Sequence, residues 1–410
     1  MPDHNAILHA EYPAAARLLS PLGRRALMPL GVPQQAAESA RCERQASIGQ
    51  ITSGDGAPLA LPALAEHFAG FDPRQTFLYA PTAGLLALRQ AWRRRLGDLP
   101  ATLPVVTTGM THSLSLAADL FGCPEHPLLL ATPYWDNYDT IWHMRTGAEM
   151  RPFPIFNAAR GLDVEARGAR LDELTGPASL LLNFPNNPTG YSPTTAEAHA
   201  IAARIHAHPH PLAVICDDAY AGYTFDDACY GRSLYGLLAE KADPRRLLVC
   251  KVDGASKELL FFGGRVGFLT FSATGAAGEA LVHKASAILR GTLSSVSAPA
   301  QSVVLAALSD PNLAGQQEEV RGVLKRRYDV LRQALADAGV DALPFNSGCF
   351  ALLPLRADQV AQDVRRRLIT EQSTGVIAVE SENALRVAFC SIEEADIPDL
   401  VARIARVVSR

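Results

Sequence analysis

Seven short apolar runs mark the middle of the chain, and amphipathic stretches separate several of them. The runs cover residues 104–107, 128–131, 150–153, 180–184, 212–216, 247–252 and 266–271. Apolar residues at helical spacing fill 111–121 and 194–206 between them. Continuous apolar runs that alternate with helices are typical of parallel strands covered on both faces. The pattern predicts an α/β fold with a mainly parallel seven-stranded sheet.

The pattern changes after about residue 310. A long helical stretch runs from roughly Gln316 to Ala338, and Gly339 ends it. Shorter apolar runs at 349–355, 376–379 and 385–389 follow, together with two more helical stretches. We therefore predict three parts: an N-terminal arm of residues 1–45 that packs on a small domain, a large domain of 46–310, and a small C-terminal α/β domain of 311–410.

Composition narrows the kind of protein. The net charge is −4, and 20% of the residues are charged, which disfavours nucleic acid or an anionic membrane as the main partner. The seven cysteines include no C-x-x-C pair, so a reducing compartment is expected. The N-terminus does not read as a secretory signal, and no apolar run has the length of a membrane span. We expect a cytoplasmic protein.

Lysine is rare in this chain, which shortens the search for a nucleophilic amine. The five lysines are Lys241, Lys251, Lys257, Lys284 and Lys325. Lys257 alone follows small residues, in D-G-A-S-K-E-L-L-F-F, and so lets another molecule approach closely. Lys251 ends an apolar strand, from which its side chain is expected to point outward. Apolar surroundings lower the pKa of a lysine, and a neutral amine attacks an aldehyde to form a Schiff base.

Polar motifs follow four of the predicted strands, at the edge where ligands of open α/β sheets bind. One of them is the segment of Lys257, with Arg265 eight residues further on. In V-T-T-G-M-T-H-S-L a helix begins near Thr111, and its N–H groups favour an anion, although an ordinary N-cap explains Thr111 equally well. In L-L-N-F-P-N-N-P-T-G the amides of Asn183, Asn186 and Asn187 are fixed by two prolines, although a plain turn uses the same residues.

The third motif is I-C-D-D-A-Y. Its first carboxylate, Asp217, ends a strand so apolar that the charge needs a cationic partner. A protonated ring nitrogen would serve, and an N-cap role or an ion pair with an arginine are the alternatives.

Together and in this order, N-P-T-G, D-D-A-Y and G-A-S-K-x-x-L-F-x-G-x-R-V-G closely resemble the pyridoxal-phosphate enzymes of fold type I. Within them the chain resembles the class I/II aminotransferase family. The resemblance extends from about Tyr79 to the C-terminus, and the lysine segment matches the signature at every defined position.

The resemblance implies roles for individual residues. Lys257 forms the internal aldimine with pyridoxal 5'-phosphate, and Asp217 keeps the ring nitrogen protonated so that the ring acts as an electron sink. Arg386, in N-A-L-R-V-A-F, grips the substrate α-carboxylate in a bidentate manner, unless it is a surface arginine on a strand. The implied cofactor and substrate contacts are Met110 (through its backbone), Thr111, Trp135, Asn187, Tyr220, Ser256 and Arg265.

Tyr79 matches a tyrosine that reaches the phosphate of the neighbouring subunit, which implies a homodimer. Trp135 matches the aromatic residue that stacks on the ring, with a core tryptophan as the alternative. Two positions depart from the family: Gly254 stands where a serine often helps to hold the phosphate, and Tyr138 stands where some members carry a histidine behind the aspartate.

The implied activity is a ping-pong transamination between an L-amino acid and a 2-oxo acid. A β-lyase or cyclase would use the same residues and is the first alternative. A non-catalytic regulatory module is the second, although the fifty or so residues ahead of the main body contain no basic recognition helix. Arg290 either binds a second substrate carboxylate or simply ends a helix. The triplet His206, His208 and His210 lies in a Pro-broken segment, so we expect no metal site there.

Overall fold

The structure is a computed structural model that describes residues 32–47, 49–53, 59–66 and 78–409. Four elements come first in the chain: α1 (Val32–Glu38), β1 (Arg44–Gln45), α2 (Pro62–Ala65) and α3 (Leu86–Arg94). Among all the described residues, no helix is both long and apolar enough to cross a membrane.

The main sheet has seven strands, at the predicted positions. They are β2 (Val105–Thr108), β3 (Leu128–Thr132), β4 (Met150–Pro154), β5 (Ala178–Asn183), β6 (Leu212–Asp217), β7 (Leu247–Gly254) and β8 (Val266–Phe271). Their order across the sheet is β2-β8-β7-β6-β5-β3-β4. β8 runs antiparallel to both of its neighbours, and the other pairs are parallel. The predicted α/β fold with a mainly parallel sheet is confirmed.

Helices cover both faces of this sheet. They are α4 (Met110–Phe121), α5 (Val164–Asp172), α6 (Thr195–Ala207), α7 (Leu234–Ala239), α8 (Ala255–Glu258), α9 (Gly275–Thr292) and α10 (Ala298–Ala307), with a π-helical turn at Asp139–Met144. Leu181 and Ile215 belong to the core on one face, whereas Leu180 and Val214 belong to the core on the other. Burial on both faces explains why the strands are continuously apolar.

A smaller unit follows. Its elements are α11 (Leu313–Asp337), β9 (Phe350–Pro354), α12 (Ala361–Gln372), β10 (Thr374–Gly375), β11 (Ile377–Val379), β12 (Ala384–Ala388) and α13 (Ile397–Val408). Strands β11, β12 and β9 form an antiparallel sheet in that order. Its apolar side chains continue the core of the main sheet, so the two units share an interior.

The described part of the N-terminal arm packs on the smaller unit. β1 pairs in parallel with β10, and the Gln35 side chain in α1 exchanges two hydrogen bonds with the backbone of Ala378, at 3.0 and 2.7 Å. Residues 1–31 of the predicted arm lie outside the described residues. The boundaries at 45 and 310 therefore stay a prediction.

Candidate active site

A cavity of about 420 Å³ opens at the carboxyl ends of the parallel strands, where the sequence placed the functional residues. The predicted residues that line it are Met110, Thr111, Trp135, Asn187, Asp217, Tyr220, Lys257 and Arg386. Side chains from both units therefore meet around one cavity, which is closed on one side by the main sheet and on the other by β9 and β12.

Lys257 lies in α8, the single helical turn that follows β7. Its Nζ is 5.4 Å from the centroid of the Tyr220 ring, and the hydroxyl of Tyr223 donates to the Lys257 carbonyl at 2.7 Å. Among the described residues, no ion pair includes Lys257. Burial lowers the pKa of its amine, and the charge of Asp217 opposes that shift only in part. The amine is thus held in the cavity in conditions that favour its neutral, nucleophilic form.

Asp217 is the last residue of β6 and is 3% exposed. The hydroxyl of Tyr138 donates to its Oδ2 at 2.6 Å, and the backbone N–H of Ala219 donates to Oδ1 at 3.2 Å. Burial raises the pKa of Asp217 to about 6, and the bond from Tyr138 counteracts this. No arginine pairs with Asp217 within the described ranges. The position that departs from the family pattern, Tyr138, therefore supplies a neutral donor behind the aspartate.

The N-terminus of α4 forms an anion cradle with two other groups. Its N-cap, Gly109, has φ +75° and offers no side chain, and a Cβ there would lie 2.4 Å from Nη2 of Arg265. Arg265 itself adopts the left-handed conformation, with φ +52°. The hydroxyl oxygen of Ser256 is buried and has no hydrogen-bond partner. Helix N–H groups, a guanidinium and a free hydroxyl fit a phosphate group.

Gly254, the second departure from the family pattern, has a steric explanation. A Cβ at this position would lie 2.7 Å from the carbonyl oxygen of Val266 and 2.9 Å from Cα of Gly267. Real Cβ atoms do not come so close to backbone atoms, so the packing of β7 on β8 excludes a serine here. The cradle must function with Ser256 as its hydroxyl from this segment.

Arg386 projects from β12 into the cavity and is 4% exposed. Its Nη1 donates to Oδ1 of Asn187 at 3.0 Å, and its Nη2 donates to the carbonyl of Ser47 at 2.8 Å. Its Nε is buried without a partner. The guanidinium carbon lies 4.4 Å from the centroid of the Phe350 ring. The alternation of β12 left the face open in the sequence, and the structure places Arg386 on the cavity side.

Asn187 and Trp135 complete the walls. The Asn187 N–H donates to Oδ1 of Asn183 at 2.9 Å, and Asn183 in turn donates from Nδ2 to the carbonyl of Asp217 at 3.0 Å. This chain of bonds fixes the Asn187 loop to the end of β6. Trp135 is partly buried and meets the Tyr138 ring edge to face, with 5.5 Å between centroids.

Four predicted residues do not line the cavity: Ser256 and Arg265, which belong to the anion cradle at the N-terminus of α4, and Tyr79 and Arg290. Tyr79 is 93% exposed, and Leu78 beside it is 66% exposed. Arg290 is exposed near the end of α9 and donates to the Ser294 hydroxyl. A contact with a neighbouring subunit and binding of a second carboxylate stay predictions for these residues. Among the described residues, no group of three or more His, Cys, Asp or Glu side chains could hold a metal ion.

Sequence reasoning missed several lining residues. They are Gln34, Gly49, Gln50, Asp136, Asn137 and Phe350. A Cβ at Gly49 would lie 2.5 Å from Cζ of Phe350 and 3.6 Å from the Tyr220 hydroxyl. Of these six, only Asp136 and Asn137 could have been found from the sequence, because they directly follow Trp135. Gln34 comes from the arm, Gly49 and Gln50 from the segment just after it, and Phe350 from the small sheet. All four approach the cavity only through the tertiary fold.

The expectation that Lys251 points outward is wrong. Lys251 is 7% exposed, and its Nζ lies 2.6 Å from Oδ2 of Asp218 and 2.8 Å from Oδ2 of Asp253. A strand buried on both faces leaves no solvent side for a long side chain.

Comparison with known proteins shows the family of the chain. The profile of the family "Aminotransferase class I and II" matches residues 47–404, and the chain belongs to that family. Members of the family use pyridoxal phosphate.

The relatives carry several names. A 1-aminocyclopropane-1-carboxylate synthase of Oryza sativa is 27% identical over 80% of this chain, which spans 63% of the rice protein. An arginine–pyruvate transaminase of Pseudomonas aeruginosa is 27% identical over 82% of this chain and 81% of its own length. The solved structure of an aminotransferase from Anaerococcus prevotii has a TM-score of 0.83 at 22% identity, and covers 94% of this chain and 99% of its own. That likeness is one of fold.

The residues present fit pyridoxal phosphate. The unpartnered hydroxyl of Ser256 and the anion cradle at Gly109 suit the phosphate. Asp217 suits a protonated ring nitrogen, because its buried carboxylate has no cation in contact within the described residues. Lys257 suits the aldehyde, because its amine has a lowered pKa.

Proposed function

We propose that the protein is a pyridoxal-phosphate-dependent aminotransferase that moves the amino group of an L-amino acid to a 2-oxo acid by a ping-pong mechanism. One observation carries this proposal: Lys257, with its lowered amine pKa, shares a cavity with the buried carboxylate of Asp217 and the buried guanidinium of Arg386. Bound pyridoxal phosphate supplies an electron sink for the negative charge that develops on the substrate α-carbon.

Arg386 binds and orients the substrate in this proposal. Its guanidinium is fixed by Asn187 and Ser47 and stacked on Phe350, so little freedom is lost when a carboxylate binds. A carboxylate bound by this guanidinium would be held to one side of the cavity, so that the α C–H bond, rather than the bond to the carboxyl group, would be the one presented for cleavage. This orientation favours removal of the α-proton over loss of the carboxyl group.

Lys257 moves the proton. Its Nζ would take a proton from the substrate α-carbon as a general base and, once protonated, would act as the general acid that returns a proton on the far side of the transferred nitrogen. A base acts best when its pKa lies near the working pH, and burial moves the pKa of Lys257 in that direction. When the cofactor is bound, Asp217 would keep its ring nitrogen protonated, and Tyr220 and Asn187 would donate to its ring hydroxyl oxygen.

We also propose a homodimer in the cytoplasm. The strongly exposed side chains of Leu78 and Tyr79 support a subunit interface, because large apolar side chains rarely stand so far out of a monomer surface together. The molar mass of the purified protein by light scattering tests this: twice 43.9 kDa is expected, and 43.9 kDa would contradict it.

The alternative activity is that of a β-lyase or cyclase, which the similarity to the rice 1-aminocyclopropane-1-carboxylate synthase favours. A half-reaction experiment separates the two. The holoenzyme is mixed with single amino acids in the absence of any oxo acid. A transaminase loses its visible band, forms pyridoxamine phosphate and regains the band with 2-oxoglutarate. A band that persists while ammonia or a cyclised product accumulates would contradict the proposal.

A further inference from the structure

A buried ionic triad lies directly behind the proposed cofactor site. Its members are Lys251, Asp218 and Asp253, with side chains that are 8%, 4% and 9% exposed. The Nζ of Lys251 lies between the two carboxylates, 2.6 Å from one and 2.8 Å from the other. No step of the proposed reaction uses any of the three. Burial of three charges together is costly unless the arrangement is well fixed, so its position needs an explanation.

The triad connects the two strand ends that carry the reactive groups. Asp218 follows Asp217 at the end of β6. Lys251 and Asp253 are two residues apart on β7, so their side chains point to the same face, and Asp253 is four residues ahead of Lys257. The strands are paired in register there, with Asp217 opposite Val252. Any shift of one strand end against the other would break the bonds of Lys251.

Other groups fix the triad itself. The indole N–H of Trp92 donates to Oδ1 of Asp253 at 3.0 Å, and the Trp92 ring stacks on Phe268 of β8 with 3.9 Å between centroids. Burial raises the pKa of Asp218, and Lys251 and a hydrogen bond from the Ser233 hydroxyl counteract this. Lys251 is the only cation in ion-pair contact with these two carboxylates in the described part of the chain. Two carboxylates and one ammonium leave a net charge of −1 beside the site.

We propose that Lys251, Asp218 and Asp253 are positioning residues, which hold Asp217 and Lys257 in register and place one negative charge behind them that favours the protonated, cationic forms of the bound cofactor. The proposal rests on the proposed cofactor site. The charge of Asp218 already raises the pKa of Asp217, which is the direction expected of a negative potential at this point.

Several other groups act on the same pair. Asp217 and Lys257 are faced by Tyr138 from the loop after β3, by Tyr220 after β6, by Arg265 before β8, and by Cys349 and Arg386 from the small sheet. Changes confined to the triad leave all of these in place. The pH titration of the visible band of the holoenzyme therefore reports the effect of the triad alone.

The test changes the charge of the triad in steps. Asp253→Asn keeps an acceptor for Trp92 and removes one negative charge, so the pKa of the visible band falls by about 0.5–1 pH unit. The double variant Lys251→Met/Asp253→Asn restores the net charge of −1, so the pKa returns towards that of the unmodified protein. Asp329→Asn, in the surface pair with Lys325, removes the same charge far from the site and leaves the pKa unchanged.

Asp218→Asn removes one negative charge at the other carboxylate of the triad, so it lowers the pKa of the visible band in the same way. It replaces the double variant if the double variant does not fold. An unchanged or raised pKa in Asp253→Asn would overturn the proposal. A double variant whose visible band has a pKa as low as that of Asp253→Asn would also overturn it. The two charge changes cancel in the double variant, whereas structural disturbances from the two substitutions would add. A protein with no visible band before any substitution would instead contradict the proposed function.

Discussion

Two lysines six residues apart, Lys251 and Lys257, show how differently one segment treats the same side chain. Lys251 lies between two carboxylates, and these raise the pKa of its amine against the effect of burial. Lys257 has no ion pair among the described residues, and burial lowers its pKa. Burial alone therefore does not decide the charge of a buried lysine, because a carboxylate in contact reverses the outcome.

The same contrast extends to the regions around the two lysines. Around Lys251, the triad and Trp92 are joined by short polar contacts. Around Lys257, the hydroxyl of Ser256 and the Nε of Arg386 are buried without partners. An unsatisfied buried polar atom costs about 1–3 kcal/mol, which a ligand that pairs with it returns. The surroundings of Lys257 thus contain buried polar atoms that a ligand could pair with, whereas the carboxylates and the amine of the triad are already paired.

The largest expected effect is that of Lys257→Ala. Removal of the general base and of the link to the cofactor lowers kcat by at least about 10³-fold. The apoprotein keeps its stability, since the amine has no ion pair to lose. Steady-state kinetics and urea denaturation of the apoprotein measure the two quantities. A variant that is inactive because it is unfolded would contradict the division between the two lysines.

Lys251→Met is expected to have its main effect on the stability of the apoprotein, in contrast to Lys257→Ala. It leaves two carboxylates buried together without a cation, which costs about 3–5 kcal/mol of stability. Denaturation of the apoprotein measures this loss, with Lys325→Met on the exposed surface of α11 as the matched control. A loss under about 1 kcal/mol, which is usual for surface ion pairs, would show that the triad is not a structural element.

Asp217→Asn is expected to stabilise the apoprotein at neutral pH. The pKa of Asp217 is raised from 3.8 to about 6, so its contribution to stability is present below pH 3.8 and is lost as the pH rises through 6. The asparagine variant avoids this loss, which amounts to about 3 kcal/mol above pH 6, and the difference vanishes below pH 4. Denaturation of both apoproteins at several pH values measures it. A less stable variant at pH 7.5 would contradict this, because it would mean that a cation stabilises the ionised carboxylate in the apoprotein.

The smallest expected effect is that of Ser256→Ala. Its hydroxyl has no partner in the protein, so the stability of the apoprotein changes by less than about 0.5 kcal/mol. The affinity for the cofactor falls about 10-fold, because one hydrogen bond to a charged phosphate is lost. Titration of the apoprotein with pyridoxal phosphate measures the affinity. An unchanged affinity would remove Ser256 from the anion cradle.

Much of the fold could be predicted from the sequence because local patterns determine it. The apolar runs became the seven strands of the main sheet, since strands covered on both faces must be apolar throughout. The motifs at the ends of β2, β5 and β6 lie around one cavity, since parallel strands bring their carboxyl ends to one edge. The positions of Asp217, Asn187 and Lys257 at this site could be predicted in this way.

Other features depend on contacts between distant segments and could not be predicted. Gln34 in the N-terminal arm and Gly49 just after the arm both reach the cavity, although each is more than 200 residues from Lys257 in sequence. The need for glycine at position 254 follows from the approach of β8. The partners of Lys251 are brought together by the pairing of β6 with β7 and by the orientation of side chains along β7. Local sequence carries no information on these contacts.

The central claim is that Lys257, and not Lys251, carries the cofactor. The most direct test is reduction of the holoenzyme with borohydride, followed by tryptic digestion and mass spectrometry. Trypsin does not cleave at a modified lysine. If Lys257 bears the cofactor, the modified peptide covers residues 252–265, with cleavage at Lys251 and none at Lys257. A cofactor-bearing peptide of residues 247–257, uncleaved at Lys251, would contradict it.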